Sequence, residues 1–180
     1  MTTWITADTH FDHEGIIAAC NRPFNSTRHM NKEIIKNFHT TIKDNDSLYI
    51  VGDLCLKGSE YIPYYRKLLN QIPGNKHLIF GDHDVLTWQQ YLDVGFISCH
   101  SSAKIVVDGI SYILNHDPAP SCIDRDIIWV CGHVHDLFKI CKNVFNAGVD
   151  VNEFMPINII EIGRIMAKYG PHASNVINKG

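Results

Sequence analysis

No stretch of the 180-residue sequence approaches the ~20 apolar residues needed to cross a bilayer. Nor does a basic, then apolar, leader open it: MTTWITADTH reads as a strand, so the chain is expected in the cytoplasm. None of the six cysteines, at 20, 55, 99, 122, 131 and 141, stands in a CxxC pair. That spacing argues against a structural zinc site and, without an export signal, for free thiols. Charge of either sign is sparse, at 19% of residues and a net −3 with histidine neutral, which excludes a broad electrostatic footprint for duplex nucleic acid. Repeats, low-complexity segments and linkers are absent as well. The expectation is one domain over residues 1–170 followed by a loose tail over 171–180.

What the chain does have is histidine, 11 residues of it. Apolar runs at Thr3–Ala7, Ser47–Val51, His77–Phe80, Ile110–Leu114 and Ile127–Cys131 read as strands. They run into Asp8-Thr9-His10, Gly52-Asp53, Gly81-Asp82-His83-Asp84, Asn115-His116 and Gly132-His133-Val134-His135. Between them, Met30, Ile34, Ile35, Phe38 and Ile42 recur at helical spacing. A second helix is expected over about Tyr61–Ile72, with Pro63 in its first turn, and a short one from a Thr87 cap to Gly95. Ala103–Val107, Asp108-Gly109 and Ile110–Leu114 form a hairpin signal. A last helix should follow Asn158 over about Ile159–Tyr169, with Asn158 and Glu161 as a capping box and Ile162, Ile165, Met166 and Tyr169 as its apolar face. Strands alternating with helices, then a hairpin-rich stretch, predict an α/β layered fold: two mixed sheets packed together with helices outside.

Carboxylates and imidazoles suit small divalent transition ions, and seven of them at strand ends are enough to hold two. Paired ions are suited to in-line displacement at phosphorus, so the residues point to a hydrolase of phosphate esters. Asp8 and His10, like His133 and His135, would share one side of an extended chain by their i, i+2 spacing. Isolated histidines at 29, 39, 77, 100 and 172 are read as structural, and Cys55 as a packing residue.

The ordered set Asp8/His10, Gly52-Asp53, Gly81-Asp82-His83-Asp84, His116 and Gly132-His133-Val134-His135 resembles the calcineurin-like metallophosphoesterase superfamily, over residues 1 to about 151. Thr9-His10-Phe11-Asp12-His13, Cys20-Asn21-Arg22-Pro23-Phe24 and Val149-Asp150-Val151 are similar to a small bacterial and phage subgroup of predicted phosphoesterases. The resemblance implies that Asp8, His10 and His135 bind one metal, that Asp82, His116 and His133 bind a second, and that Asp53 bridges them. It implies a metal-bound hydroxide as nucleophile and His83 as the group that acts on the substrate, with Asp84 able to orient the His83 ring. The superfamily's third motif usually reads Gly-Asn-His; Asp82 here adds a third carboxylate to the ligand set.

His13 and Arg22, in the loop after the first motif, are candidates to contact substrate phosphate, Arg22 through its bidentate fork. The expected cofactors are two divalent ions, Mn first and Fe, Ni or Zn after it. The expected substrate is a small phosphate ester or nucleotide, and the activity a phosphodiesterase. A phosphomonoesterase or protein phosphatase of the same fold, or a catalytically weak scaffold that binds protein partners, are the alternatives.

Overall fold

The computed structural model describes residues 1–118 and 126–169; the expected tail, His172 and Cys122 lie outside them. In chain order the strands are β1 (Thr3–Thr6), β2 (Ser47–Val51), β3 (Asn75–Ile79), β4 (Ser98–His100), β5 (Ala103–Val107), β6 (Ile110–Leu114), β7 (Ile127–Cys131), β8 (Ile140–Cys141), β9 (Val144–Asn146) and β10 (Ile157–Asn158). The helices are α1 (Glu14–Ala19), α2 (Thr27–Thr41), α3 (Ile62–Leu69), α4 (Trp88–Val94) and α5 (Ile159–Tyr169).

Two five-stranded mixed sheets result, in the orders β10-β1-β2-β3-β4 and β5-β6-β7-β9-β8. In the first, β1 to β4 run parallel and β10 is antiparallel to β1. In the second, β6, β7 and β9 run parallel between antiparallel edges. Period-two alternation decides which face each side chain takes. From β1 and β2, Ile5, Ala7 and Val51 point toward Tyr112, Leu114, Val130 and Phe145 of the second sheet, and the sheets pack through this cluster. Leu48, Ile50 and Leu78 point the other way, into a core with Met30, Ile34 and Phe38 of α2 and Tyr65, Leu68 and Leu69 of α3. Helix α5 joins the inter-sheet cluster through Ile159, Ile162 and Met166. The α/β architecture of two packed mixed sheets is as the sequence led one to expect.

Local chemistry explains the best-defined elements. Thr87 and Gln90 form a capping box at the start of α4, and Gly95 ends it at φ 124°. Asp108 and Gly109 turn the β5–β6 hairpin with φ of 49° and 78°, the left-handed pair that a two-residue loop requires. Pro63 sits in the first turn of α3. Three expectations need correction. Helix α3 stops at Leu69, and Ile72 is buried from the turn beyond it. At α5, Asn158 accepts the Ile160 N–H at 2.9 Å, but Glu161 pairs with Arg164 instead of closing a box. Tyr169 is exposed, and Ile159 takes its place on the buried face.

Candidate metal centre

The parallel strands of both sheets deliver their following loops to one region, the place where ligands gather in such folds. After β1, the chain runs beside the loop after β2: Asp8 N–H donates to Gly52 O at 3.1 Å, His10 N–H to Asp53 O at 3.0 Å and Phe11 N–H to Leu54 O at 2.9 Å. Ala7 bridges to Gly148 beyond β9, which brings an end of each sheet together. Asp8, His10, Asp53, His133 and His135 all have left-handed backbones, with φ between 45° and 68°. Non-glycine residues seldom adopt that region, and each instance costs on the order of 1–3 kcal/mol. The expected reason for the i, i+2 pairs was therefore wrong. Asp8 and His10 converge through successive left-handed turns, not through extended alternation, and so do His133 and His135.

All seven predicted ligands come together in overlapping groups. Asp8, His10 and His135 have ligand atoms within 4.8 Å of one another, as do Asp82, His116 and His133, and Asp8, Asp53 and His116. Asp53 lies between the first two groups: Oδ2 is 3.3 Å from His10 Nε2 and Oδ1 is 3.5 Å from His116 Nε2. Backing contacts aim the rings. His116 Nδ1 is 3.0 Å from Val51 O, which leaves Nε2 pointing inward. His135 Nδ1 is 3.0 Å from Asp150 Oδ2. The His133 N–H donates to Asp8 Oδ1 at 2.9 Å, and Asp82 Oδ2 lies 3.3 Å from His133 Nδ1. Close backbone approach is needed behind this set: a Cβ at Gly52, whose φ is 84°, would overlap the His116 ring, and one at Gly81 would overlap Asp53.

The site fits divalent metal. Asp8 Oδ2, His10 Nε2 and His116 Nε2 are buried with no hydrogen-bond partner. Buried polar atoms left so cost about 1–3 kcal/mol each, and cations held by these groups would satisfy all three. Burial pushes Asp8 up to about 6, against the pull of His116, His135 and the His133 N–H. Burial also depresses His10 to about 4, so its ring is a neutral, available donor. Asp53 is held down at about 2: burial raises it, but His10, the His83 N–H and His116 together outweigh that. The two groups differ in exposure. Asp8, His10, Asp53 and His116 are buried, whereas the Asp82 and His133 side chains are 62% and 44% exposed.

His83 stands at the edge of this cluster, its ring 5.2 Å from that of His10 and its Nε2 3.9 Å from Asp53 Oδ2. His13 is next to it, with Nδ1 3.2 Å from His10 Nδ1. Two expected roles fail. Among the described residues, the His83 ring pairs with Asp53 and no hydrogen bond joins it to Asp84. Asp84 lies half-buried beneath the loop, where its carboxylate accepts the N–H groups of Gly81 at 2.8 Å, Asp53 at 3.0 Å and Leu54 at 3.1 Å. Burial pushes it up to about 7 against those three donors. Arg22 cannot meet substrate phosphate, because it is only 4% exposed and its guanidinium is spent on Asp150 and on backbone carbonyls.

Asp150 and Asn146 were missed. Asn146 is fully buried and donates to His135 O and Phe138 O, both at 2.7 Å, so it shapes the loop that presents His135. The sequence signal for Asp150 was its place in Val149-Asp150-Val151, a motif shared with the phosphoesterase subgroup, to which no role was attached.

No family model matches the chain. MJ1445, an uncharacterised protein of Methanocaldococcus jannaschii, is 29% identical over 173 residues, covering 92% of this chain and 91% of that protein. The crystal structure of AQ665, a protein of unknown function from Aquifex aeolicus, is similar at a TM-score of 0.71 and 26% identity, over 91% of this chain and 98% of that one. A novel archaeal phosphodiesterase (TM-score 0.48, 14% identity, 82% of each chain) is a more distant likeness. So is YfcE, a phosphoesterase from E. coli (TM-score 0.46, 13% identity, 82% of this chain and 78% of that one). Likenesses that slight carry neither fold nor activity across.

Proposed function

We propose that the chain is a metal-dependent hydrolase of phosphate esters with a dinuclear site, acting by preference on diesters, nucleotide-type diesters among them. The observation that carries this reading is Asp53, which turns one oxygen toward His10 of one three-residue group and the other toward His116 of the second. Asp8, His10 and His135 would hold one ion, Asp82, His116 and His133 the other, and Asp53 both. Two divalent ions there would supply a water-derived nucleophile at neutral pH and stabilise the charge that develops around phosphorus. Mixed oxygen and nitrogen donors do not select among divalent transition ions by softness; Mn is proposed first, with Fe, Ni or Zn after it.

The protein's own part in the chemistry falls to His83. Its ring is 42% exposed and borders Asp53, so it is placed to give a proton to the leaving oxygen. His13, half-exposed beside His10 and His83, is the companion contact for a phosphoryl oxygen. The preference for diesters rests on the open side of the site: Asp82, His83 and His133 all face solvent, which leaves room for a substituent on either side of phosphorus.

The test is turnover by Mn²⁺-reconstituted protein of an aryl phosphodiester and the matching monoester. The proposal expects metal-dependent hydrolysis with the diester faster. A faster monoester would overturn the diester preference. No turnover of either with both ions bound would replace the enzyme by a metal-binding scaffold.

A further inference from the structure

Beyond the ligands themselves, we infer that Asp150 and Arg22 are positioning residues for the first ion: a single buried ion pair that orients His135 and at the same time fixes the backbone of Asp8. This rests on the reading of Asp8, His10 and His135 as ligands. Asp150 lies in the one-turn 3-10 helix Val149–Val151 after β9, and Arg22 follows α1, so 128 residues separate the two. Both are buried, at 5% and 4% exposure.

Every guanidinium donor is committed. Nε donates to Asp150 Oδ1 at 2.8 Å, Nη2 to Asp150 Oδ2 at 2.9 Å and to Asp8 O at 2.7 Å, and Nη1 to Thr9 O at 3.0 Å and Met30 Sδ at 3.3 Å. The same Asp150 Oδ2 lies 3.0 Å from His135 Nδ1. One planar group therefore joins the carboxylate behind His135 to the carbonyls of Asp8 and Thr9. Asp8 is itself held in the left-handed region at φ 55°, a conformation that needs outside support.

A carboxylate behind a ligating imidazole fixes its tautomer and ring plane and raises its basicity. A buried carboxylate remains ionised only when paired, and arginine supplies a charge that does not titrate away together with a fork matched to the two oxygens. Lysine could pair with Asp150 but could not also reach both carbonyls. The other ion's site is built differently: His116 is backed by the neutral Val51 carbonyl, and Asp82 and His133 are largely exposed. Loss of the Arg22–Asp150 pair should therefore weaken the first ion selectively.

The experiment is calorimetric titration of metal-free protein with Mn²⁺, for wild type, Asp150→Ala, Asp150→Asn, Arg22→Lys and Arg22→Lys with Asp150→Ala. Wild type should take up two ions. Asp150→Ala should weaken one ion ~10–100-fold, the usual effect of removing such a partner, and leave the other within about threefold. Arg22→Lys should show an intermediate loss. The double variant should be no worse than Asp150→Ala alone, because both changes act through one contact.

In Zn²⁺-loaded protein, the His135 Nδ1–H should give a proton resonance protected from solvent that disappears in Asp150→Ala, a signature that a packing defect elsewhere would not produce. Should Asp150→Ala fail to fold, Arg22→Lys and the near-isosteric Asp150→Asn decide. Unchanged affinity for both ions in the folded variants, or equal weakening of both ions, overturns the inference. Fewer than two ions in wild type would instead overturn the dinuclear reading on which it rests.

Discussion

At position 83 anchoring and chemistry use different atoms of one residue. The His83 backbone N–H is tied to Asp53 Oδ1 at 2.9 Å, while the ring stays 42% exposed. Truncating the ring should therefore leave the metal site intact. His83→Ala is expected to retain both ions by elemental analysis while turnover falls ~10²–10⁴-fold, the usual worth of a positioned acid; loss of metal in this variant would make His83 a ligand. Asp82 makes the opposite case. Its carboxylate adds negative charge at the second ion and toward an anionic substrate, but at 62% exposure water screens much of it. Asp82→Asn should bind the second ion more weakly and, at saturating metal, turn over an aryl diester faster by up to ~10-fold, equivalent to about 1.4 kcal/mol of barrier. Initial rates measured along a Mn²⁺ titration separate the two effects; a slower variant with both sites filled would show that Asp82 suits the working site. At this scale the seven ligand candidates were legible because strand ends announce themselves in sequence. Arg22 was not: its neighbours Asn21 and Pro23 read as a surface loop, and nothing local reveals that a carboxylate 128 residues away buries it.

Elements were legible in proportion to how locally they are specified. The β5–β6 hairpin and α4 carry their turn and cap chemistry in adjacent residues, and both appear where the sequence put them. Strands β4, β8, β9 and β10 were missed. They are two or three residues long, too short to show alternation, and they exist because β3, β9, β7 and β1 offer them an edge. A comparable long-range device holds the start of the first sheet. Asp46, just before β2, accepts the Thr2 N–H at 2.7 Å, Trp4 Nε1–H at 3.0 Å and the Lys43 N–H at 3.1 Å. The Thr2 N–H foremost, then Trp4 and Lys43, hold its carboxyl below the ordinary 3.8 despite the opposing effect of burial. A carboxyl depressed in the folded state stabilises it fully above the unfolded value, and that contribution is lost as pH falls through the folded one. Asp46→Ala should cost ~1–3 kcal/mol at pH 7 in urea unfolding, and the gap to wild type should narrow as pH drops below about 4. A gap that stays constant down to pH 3 would show that the carboxylate's charge is not what fastens β1 to β2.

Across the whole molecule, the candidate ligands belong to loops from both sheets: Asp8, His10, Asp53 and Asp82 follow strands of the first, and His116, His133 and His135 follow strands of the second. Ions bound among them would join the sheets at the end where five of the seven residues hold left-handed backbones. Binding to the folded state alone stabilises it by mass action, so chelation should lower the melting temperature reversibly and Mn²⁺ should restore it. The central claim is that Asp53 is shared. Anomalous diffraction from crystals grown with Mn²⁺ tests it most directly, in wild type and Asp53→Ala. The account predicts two peaks about 3.5–4 Å apart with an Asp53 oxygen on each, and neither peak in the variant. A single isolated peak that Asp53 does not touch, or two peaks that persist in Asp53→Ala, would contradict it.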